Sequence, residues 1–288
     1  MYPAFSNTFN NLIFKDSTTV YELEVLKKSS SEQNSPYNII FVHGAYVGAW
    51  CWQEHFMDFF CSAGYDCTAL SFRGHGKSQG GILNNHRLCD YVQDLETVVS
   101  ESEKPIILIS HSMGCMVSQK FLQQKKDASE KVIGTVYMAP IPFHGVAPSS
   151  IDISMKDPMV MLQVHLVQLF GSSFATKEFA RRALFSRDIP DALLDSYRHK
   201  FQPESFNAIW DVSFLDLPIP VKNSSLPQLF IGGKKDNIFS TKAIENTASR
   251  YGEKAVFIDN TAHMMMLDPR WEKVAEKIKI WLNIYFAV

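Results

Sequence analysis

Ile106-Ile-Leu-Ile-Ser-His-Ser-Met-Gly-Cys115 carries the most information in this 288-residue chain. Four apolar residues in succession fit a strand buried on both faces, and Met113 to Gln124 has the length of a helix. Between them, Ser110-His111-Ser112-Met113-Gly114 is a near match to G-x-S-x-G, with Ser110 in place of the first glycine. In such a turn a serine is held on a sharp strand-to-helix bend, so its hydroxyl stands clear of the sheet. Small residues two before and two after let strand and helix approach closely, and serine is small enough for the first of these places. Ser112 is therefore the candidate nucleophile.

A serine hydroxyl is a weak nucleophile near neutral pH and needs a histidine base with an acid to orient it. On this turn the partners follow in the order Ser, Asp/Glu, His. Asp236 follows the apolar run Leu226 to Ile231 through Gly232-Gly-Lys-Lys235, at a strand's C-terminal edge. His263 follows Val256-Phe-Ile258 through Asp259-Asn-Thr-Ala262. In a doubly wound sheet those edges face one crevice, where Ser112, Asp236 and His263 would converge. Asp259 competes for the acid's role but sits beside the last strand, close to His263 in sequence. His43 and His111 lie in turns next to the site and are expected to serve structure. His55, His86, His144, His165 and His199 have no comparable position. Acyl transfer also needs backbone N–H donors about 3 Å from the developing oxyanion. Met113, after the nucleophile, offers one; Ala45, after the strand-ending His43-Gly44, offers the other.

Outward from this centre, strand-sized runs at Ile39-Ile-Phe-Val42, Cys67 to Phe72, Val132 to Met138, Gln228 to Ile231 and Ala255 to Ile258 alternate with helix-sized segments. The latter are Trp52 to Ser62, Arg87 to Ser102, Thr241 to Tyr251 and Pro269 to Tyr285, with Pro269 as a first-turn proline. Asn11 to Phe14 and Thr18 to Leu26 precede them as two strands joined by Lys15-Asp16-Ser17. The pattern predicts an α/β fold with a mostly parallel, doubly wound sheet. Between Pro140 and Pro227 the alternation breaks for far longer than the roughly 30 residues of a strand-helix-strand step. We read residues 141–223 as an inserted helical cap and residues 1–140 and 224–288 as the core. Met159-Val-Met-Leu-Gln-Val-His-Leu-Val-Gln-Leu-Phe170 is apolar around most of a helix, and Met264-Met-Met266 follows the candidate base. They point to a pocket for a hydrophobic small-molecule ester, with Tyr46 and Trp210 as further lining candidates. Packing of the cap on the core is the competing use of the same side chains.

With 28 Lys+Arg against 30 Asp+Glu and 46% hydrophobic residues, the chain is neither disordered nor basic enough for a nucleic-acid binder. Its longest apolar stretch, Met159 to Phe170, is too short to span a membrane. Ser71-Phe-Arg-Gly-His-Gly-Lys-Ser78 looks like a phosphate loop but has Ser71 where a Walker A motif needs glycine. No helix pair H-x-x-x-H and no Cys/His cluster has zinc-ligand spacing, so zinc is poorly supported. Cys51, Cys61, Cys67, Cys89 and Cys115 are odd in number with no CxxC pair, and are expected as buried free thiols in a reducing compartment. The N-terminus has no secretory-signal pattern, so the expected location is cytoplasmic and the default state a monomer. The sequon Asn223-Ser224-Ser225 carries no weight.

Taken together, His43-Gly44, Arg73-Gly-His-Gly-Lys-Ser78, Ser112 in Ser-His-Ser-Met-Gly, Asp236 and His263 in that order resemble the α/β-hydrolase superfamily from about Leu12 to Phe286. His43-Gly-Ala-Tyr-Val-Gly-Ala-Trp-Cys-Trp52 is locally similar to the opening of the small-ester hydrolases that include plant methylesterases and hydroxynitrile lyases. The resemblance implies Ser112 as nucleophile, His263 as general base and acid, Asp236 as its orienting partner, Ala45 and Met113 as oxyanion donors, and no metal or organic cofactor. Dehalogenase-like and epoxide-hydrolase-like members use an aspartate at the nucleophile position, which Ser112 argues against. The expected activity is hydrolysis of a carboxylic ester through an acyl-enzyme. Lyase or acyltransferase chemistry, or a ligand receptor on the same fold, stays open.

Overall fold

In the computed structural model, which describes residues 10–15, 20–30, 36–124, 126–220 and 225–286, strand β3 (Asn38–Val42) shows why the sheet is covered twice. Ile39 and Phe41 join one apolar layer while Ile40 and Val42 join the other. β5 (Ile106–His111) repeats the pattern, with Ile107 and Ile109 on one side and Ile106 and Leu108 on the other. A strand apolar on both faces is stable only at the centre of a sheet.

The remaining strands are β1 (Asn10–Lys15), β2 (Val20–Lys28), β4 (Asp66–Leu70), β6 (Val132–Met138), β7 (Gln228–Gly233) and β8 (Ala255–Ile258). They form one sheet in the order β1-β2-β4-β3-β5-β6-β7-β8. β2 pairs antiparallel with β1 and β4, and every other pairing is parallel. The α/β class and the mostly parallel, doubly wound sheet are as expected. After β3 the chain moves to β4 on one side and then to β5 on the other. Their loops part beyond the C-terminal ends of β3 and β5, and a crevice opens there.

The helices are α1 (Trp50–Gln53), α2 (Phe56–Ser62), α3 (Leu88–Glu101), α4 (Met113–Gln124), α5 (Lys126–Ser129), α6 (Ala147–Lys156), α7 (Pro158–Phe170), α8 (Lys177–Ala183), α9 (Asp191–Arg198), α10 (Phe206–Trp210), α11 (Thr241–Tyr251) and α12 (Trp271–Tyr285). α2 and α12 bury against the layer of Phe41, whereas α3 and α4 bury against that of Val42. α6 to α10 all fall between β6 and β7.

Three expectations change. The single helix foreseen from Trp52 to Ser62 is two, because His55 takes a non-helical φ of −145° and stacks on Trp271, ring centroids 4.5 Å apart. Pro269 precedes the last helix instead of opening it: Asp268 accepts the Arg270 N–H through its side chain and the Trp271 N–H through its carbonyl, so the helix starts at Trp271. Cys89 is exposed, and the other four cysteines are buried free thiols. The Asp16-Ser17 joint, the boundary at Asn223 and most of the Asn223-Ser224 sequon lie outside the described residues.

The turn after β4 is anchored by charge. Arg73 donates from Nε to Asp94 Oδ1 at 2.9 Å and from its backbone N–H to Oδ2 at 2.8 Å, and both residues are buried. Removing one partner strands the other in a medium of low dielectric, at a cost of roughly 3–5 kcal/mol. Asp90 also faces the guanidinium, at 3.3 Å. Asp94→Ala should therefore lower the urea unfolding free energy by about 3 kcal/mol. A loss under about 1 kcal/mol, the size of an exposed pair, would show that this contact does not hold the turn.

Candidate active site

β5 ends at His111, and Ser112 follows with φ of +49°, a left-handed conformation uncommon for a residue with a side chain. Its N–H donates to the Met138 carbonyl of β6 and its own carbonyl accepts from Cys115, both at 3.0 Å, so the bend is tied to sheet and helix at once. Gly114 makes the bend sterically possible. A Cβ there would stand 2.4 Å from the His43 carbonyl oxygen and 2.6 Å from that of Val42. Ser110, the departure from the motif, turns its hydroxyl to Ser118 of α4 at 2.6 Å, fully buried. It pins strand to helix without crowding the turn.

Ser112 Oγ lies 3.2 Å from His263 Nε2, and His263 Nδ1 lies 2.9 Å from Asp236 Oδ2. A carboxylate only accepts, so Nδ1 carries the proton and Nε2 presents its lone pair to the serine hydroxyl. The Asp236 side chain is fully buried, and its Oδ1 accepts the N–H groups of Ile238 at 2.7 Å and Phe239 at 3.0 Å. Those bonds leave Oδ2 aimed at the imidazole. Asp259 instead pairs with Lys234 at 2.8 Å, its side chain 76% exposed.

The two neighbouring histidines are held in fixed forms. His111 Nε2 donates to the His263 carbonyl at 3.0 Å, bracing the loop that carries that residue. Burial, and then the nearby His263, push its pKa well below the ordinary range. His43 Nδ1 donates to the Gly44 carbonyl at 2.7 Å while Nε2 accepts the Phe72 N–H at 3.0 Å, which is the neutral form. Burial and the adjacent His75 lower its pKa to about 3. The Gly44–Ala45 peptide is planar and trans, so fixing the Gly44 oxygen turns the Ala45 N–H the opposite way. Glycine is needed at 44 because a Cβ would come within 2.8 Å of His111 Nδ1 and 3.0 Å of Ser112 Cβ. Among the described residues, neither the Ala45 nor the Met113 N–H meets a hydrogen-bond acceptor. Two unused donors beside a serine hydroxyl are chemically suited to receive an oxyanion.

Ser112, His263, Ala45 and Met113 open on a cavity of about 180 Å³. Its walls include Met161, Val164 and Val167 of α7, Phe179 and Ala183 of α8, Phe201, Ile209 and Val212, together with Ile141, Ile238, Phe239 and Met264. No Asp, Glu, Lys or Arg is among the lining residues described. Tyr46 is part of the wall; Trp210 is not, and corrects the expectation. A step of about 100° along α10 turns Ile209 inward and Trp210 outward, where it is 53% exposed and packs against Phe214. α7 serves both uses and leaves a third face open: Met161, Val164 and Val167 face the cavity, Val160 packs in the core, and Met159, Leu162, Leu169 and Phe170 are exposed. Met264 alone of its methionine run lines the cavity, and Met265 and Met266 pack in the core. Sequence reading missed Phe239, whose ring is edge-on to His263 at 5.3 Å, and Leu184. The signal for Phe239 is its place three residues after Asp236. Among the described residues no group of three or more His, Cys, Asp or Glu is arranged to hold a metal ion, and no helix is long and apolar enough to cross a membrane.

A profile of the Alpha/beta hydrolase family matches residues 39–277. Methylesterase 18 of Arabidopsis thaliana is 30% identical over 82 residues, which are 28% of this chain and 31% of that protein. The chain thus spans about a third of that relative's length. Pheophorbidase of Raphanus sativus is 24% identical over 240 residues, 78% of this chain and 86% of the relative. A bromoperoxidase from Bacillus anthracis superposes with a TM-score of 0.76 at 15% identity, covering 95% of this chain and 100% of its own.

Proposed function

Because the chain belongs to the alpha/beta hydrolase family, we propose that it is a serine hydrolase that cleaves a carboxylic ester of a small or medium hydrophobic substrate through an acyl-enzyme on Ser112. The observation that carries this reading is the line of Asp236 Oδ2, His263 and Ser112 Oγ, at 2.9 and 3.2 Å, opening on an apolar cavity. The names of the methylesterase and pheophorbidase relatives support hydrolysis in general.

His263 Nε2 takes the Ser112 proton as Oγ attacks the ester carbonyl. The carbonyl oxygen gains negative charge and is received by the N–H groups of Ala45 and Met113. The imidazolium, stabilised by Asp236, returns its proton to the leaving alkoxide, and the acyl group stays on Ser112. Water repeats the sequence from the same side: His263 removes its proton, hydroxide adds to the acyl carbon, and the Ser112–acyl bond breaks with the proton returned to Oγ. Residues 141–223 act in this scheme as the cap that supplies most of the cavity wall.

A wall without charge favours apolar acyl groups and disfavours carboxylates, which would be buried unpaired. In a series of p-nitrophenyl esters from acetate to dodecanoate, kcat/KM should rise up to about fourfold per added methylene while the chain is being buried. It should fall once about 180 Å³ is filled. A hemisuccinate ester should be turned over at least about tenfold more slowly than the butyrate, since its carboxylate finds no partner. A flat series would sink the apolar-cavity assignment, and failure with every neutral ester would sink the hydrolase reading.

A further inference from the structure

Glu204 lies in the stretch joining α9 to α10, yet its side chain is fully buried against the turn after β4. Each of its hydrogen-bonding neighbours is a donor. His75 Nε2 is 2.9 Å from Oε2, while Tyr91 Oη at 2.6 Å and the Ser205 N–H at 2.7 Å reach Oε1. An ionised carboxylate accepts all three. The His75 ring is complementary: Nδ1 faces the Arg73 carbonyl at 3.2 Å and Nε2 faces the carboxylate, so only the imidazolium satisfies both acceptors. Burial opposes each charge, but Glu204 holds His75 above its ordinary pKa, and His75, Tyr91 and the Ser205 N–H hold Glu204 below its own.

The same short stretch grips the loop after β3. Gln202 N–H donates to the Tyr46 carbonyl at 3.0 Å, and its side-chain amide bridges the Gly74 carbonyl at 3.0 Å and the Gly76 N–H at 2.9 Å. Ser205 Oγ donates to the His86 carbonyl at 2.6 Å. Tyr46 has φ of +68°, a conformation that costs a non-glycine residue energy and that surrounding contacts must maintain. On the other side of Ala45, the Gly44 carbonyl is fixed by His43, whose ring is 5.3 Å from that of His75. The Ala45 amide is thus braced through Gly44 and through Tyr46; residues 202–205 hold the second brace directly through Gln202 and stand behind the first through His75, which lies beside His43.

We propose that Glu204 is a positioning residue: its buried pairing with His75 clamps Gln202-Pro203-Glu204-Ser205 to the core and so holds the Ala45 N–H where an oxyanion would form. Its kinetic consequence rests on the serine-hydrolase reading above. Glu204→Gln can keep every bond, because its carbonyl oxygen accepts from Tyr91 and Ser205 while its NH2 donates to Nε2 of a neutral His75. Glu204→Ala leaves all three donors without a partner.

In the full-length protein, Glu204→Ala should lower kcat at least about thirtyfold, part of the hundredfold or more that loss of an oxyanion donor costs. KM should move less than about threefold, since the contact is made in the transition state. Glu204→Gln should stay within about threefold of wild type in both parameters, a rescue expected if connectivity is what matters. Amide hydrogen exchange of the peptide from Phe41 to Trp52, read by mass spectrometry, should quicken in Glu204→Ala and not in Glu204→Gln. A rise in KM alone, or unchanged kcat in Glu204→Ala, overturns the proposal. Unchanged exchange overturns it whether or not any ester is turned over, and absence of turnover by wild type counts against the hydrolase reading instead. If Glu204→Ala does not fold, Gln202→Ala removes the bridge to Gly74 and Gly76 and should shift kcat and exchange in the same directions.

Discussion

Ser112→Ala should lower kcat/KM for p-nitrophenyl butyrate at least about a thousandfold, the loss that follows when a nucleophile is removed from a site that keeps its base and oxyanion donors. The substitution deletes one oxygen. The backbone at φ +49° costs an alanine about what it costs a serine, and the bonds of residue 112 to Met138 and Cys115 are made by its main chain. His263 also keeps its bond to Asp236 and the bond from His111 to its carbonyl. The variant should accordingly fold with a nearly unchanged melting temperature, so that lost turnover reports chemistry. A residual rate above that in water would come from the N–H donors and the cavity acting on attack by water. In parallel, a fluorophosphonate should add one equivalent to the wild type at Ser112 and none to the variant. Turnover above about a tenth of wild type, well outside the range for a lost nucleophile, would remove Ser112 from that role.

What the sequence made legible was local chemistry. The bounds of α11 match because both ends are capped by neighbours in sequence: Ser240 Oγ accepts the Ala243 N–H at 3.2 Å, and Gly252 ends the helix at φ +85°. β5, the bend at Ser112 and α4 were equally legible, since a continuous apolar run and small residues at fixed offsets leave few other conformations. Asp236 and His263 were located by the rule that strand ends converge, which needs no knowledge of their side-chain contacts. What failed depended on residues far apart in the chain. The break between α1 and α2 involves Trp271 stacking on His55, and Glu204 finds its partner His75 from 129 positions away. Nor does composition say which side of α10 meets the cavity, so the sequence offers Trp210 as a lining candidate while Ile209 is the residue on the wall. An apolar helix such as α7 has the same difficulty on a larger scale, because its pattern marks no single inner face.

Asp236→Asn should reduce kcat by about ten-thousandfold with the fold intact, and the reason is the tautomer of His263. In the native arrangement Asp236 Oδ1 accepts the N–H groups of Ile238 and Phe239, while Oδ2 faces His263 Nδ1. Asparagine has one acceptor oxygen, and two backbone donors claim it. Its NH2 is then left facing Nδ1, and two donors cannot share that bond. The imidazole moves its proton to Nε2, which thereafter donates toward Ser112 Oγ and has no lone pair to take the serine proton. Because each hydrogen bond is replaced by another, stability should change by under about 1 kcal/mol, and KM should stay within a few-fold since the cavity wall is untouched. Asp259→Asn is the control: its carboxylate is exposed and paired with Lys234, so kcat should stay within about twofold of wild type, as for an ordinary surface substitution. Comparable losses in the two variants would mean that both carboxylates act on His263, and a large loss in Asp259→Asn alone would transfer the orienting role to it. Only a loss confined to Asp236→Asn, with unchanged melting and unchanged KM, fits a carboxylate whose contribution is to fix where the imidazole carries its proton.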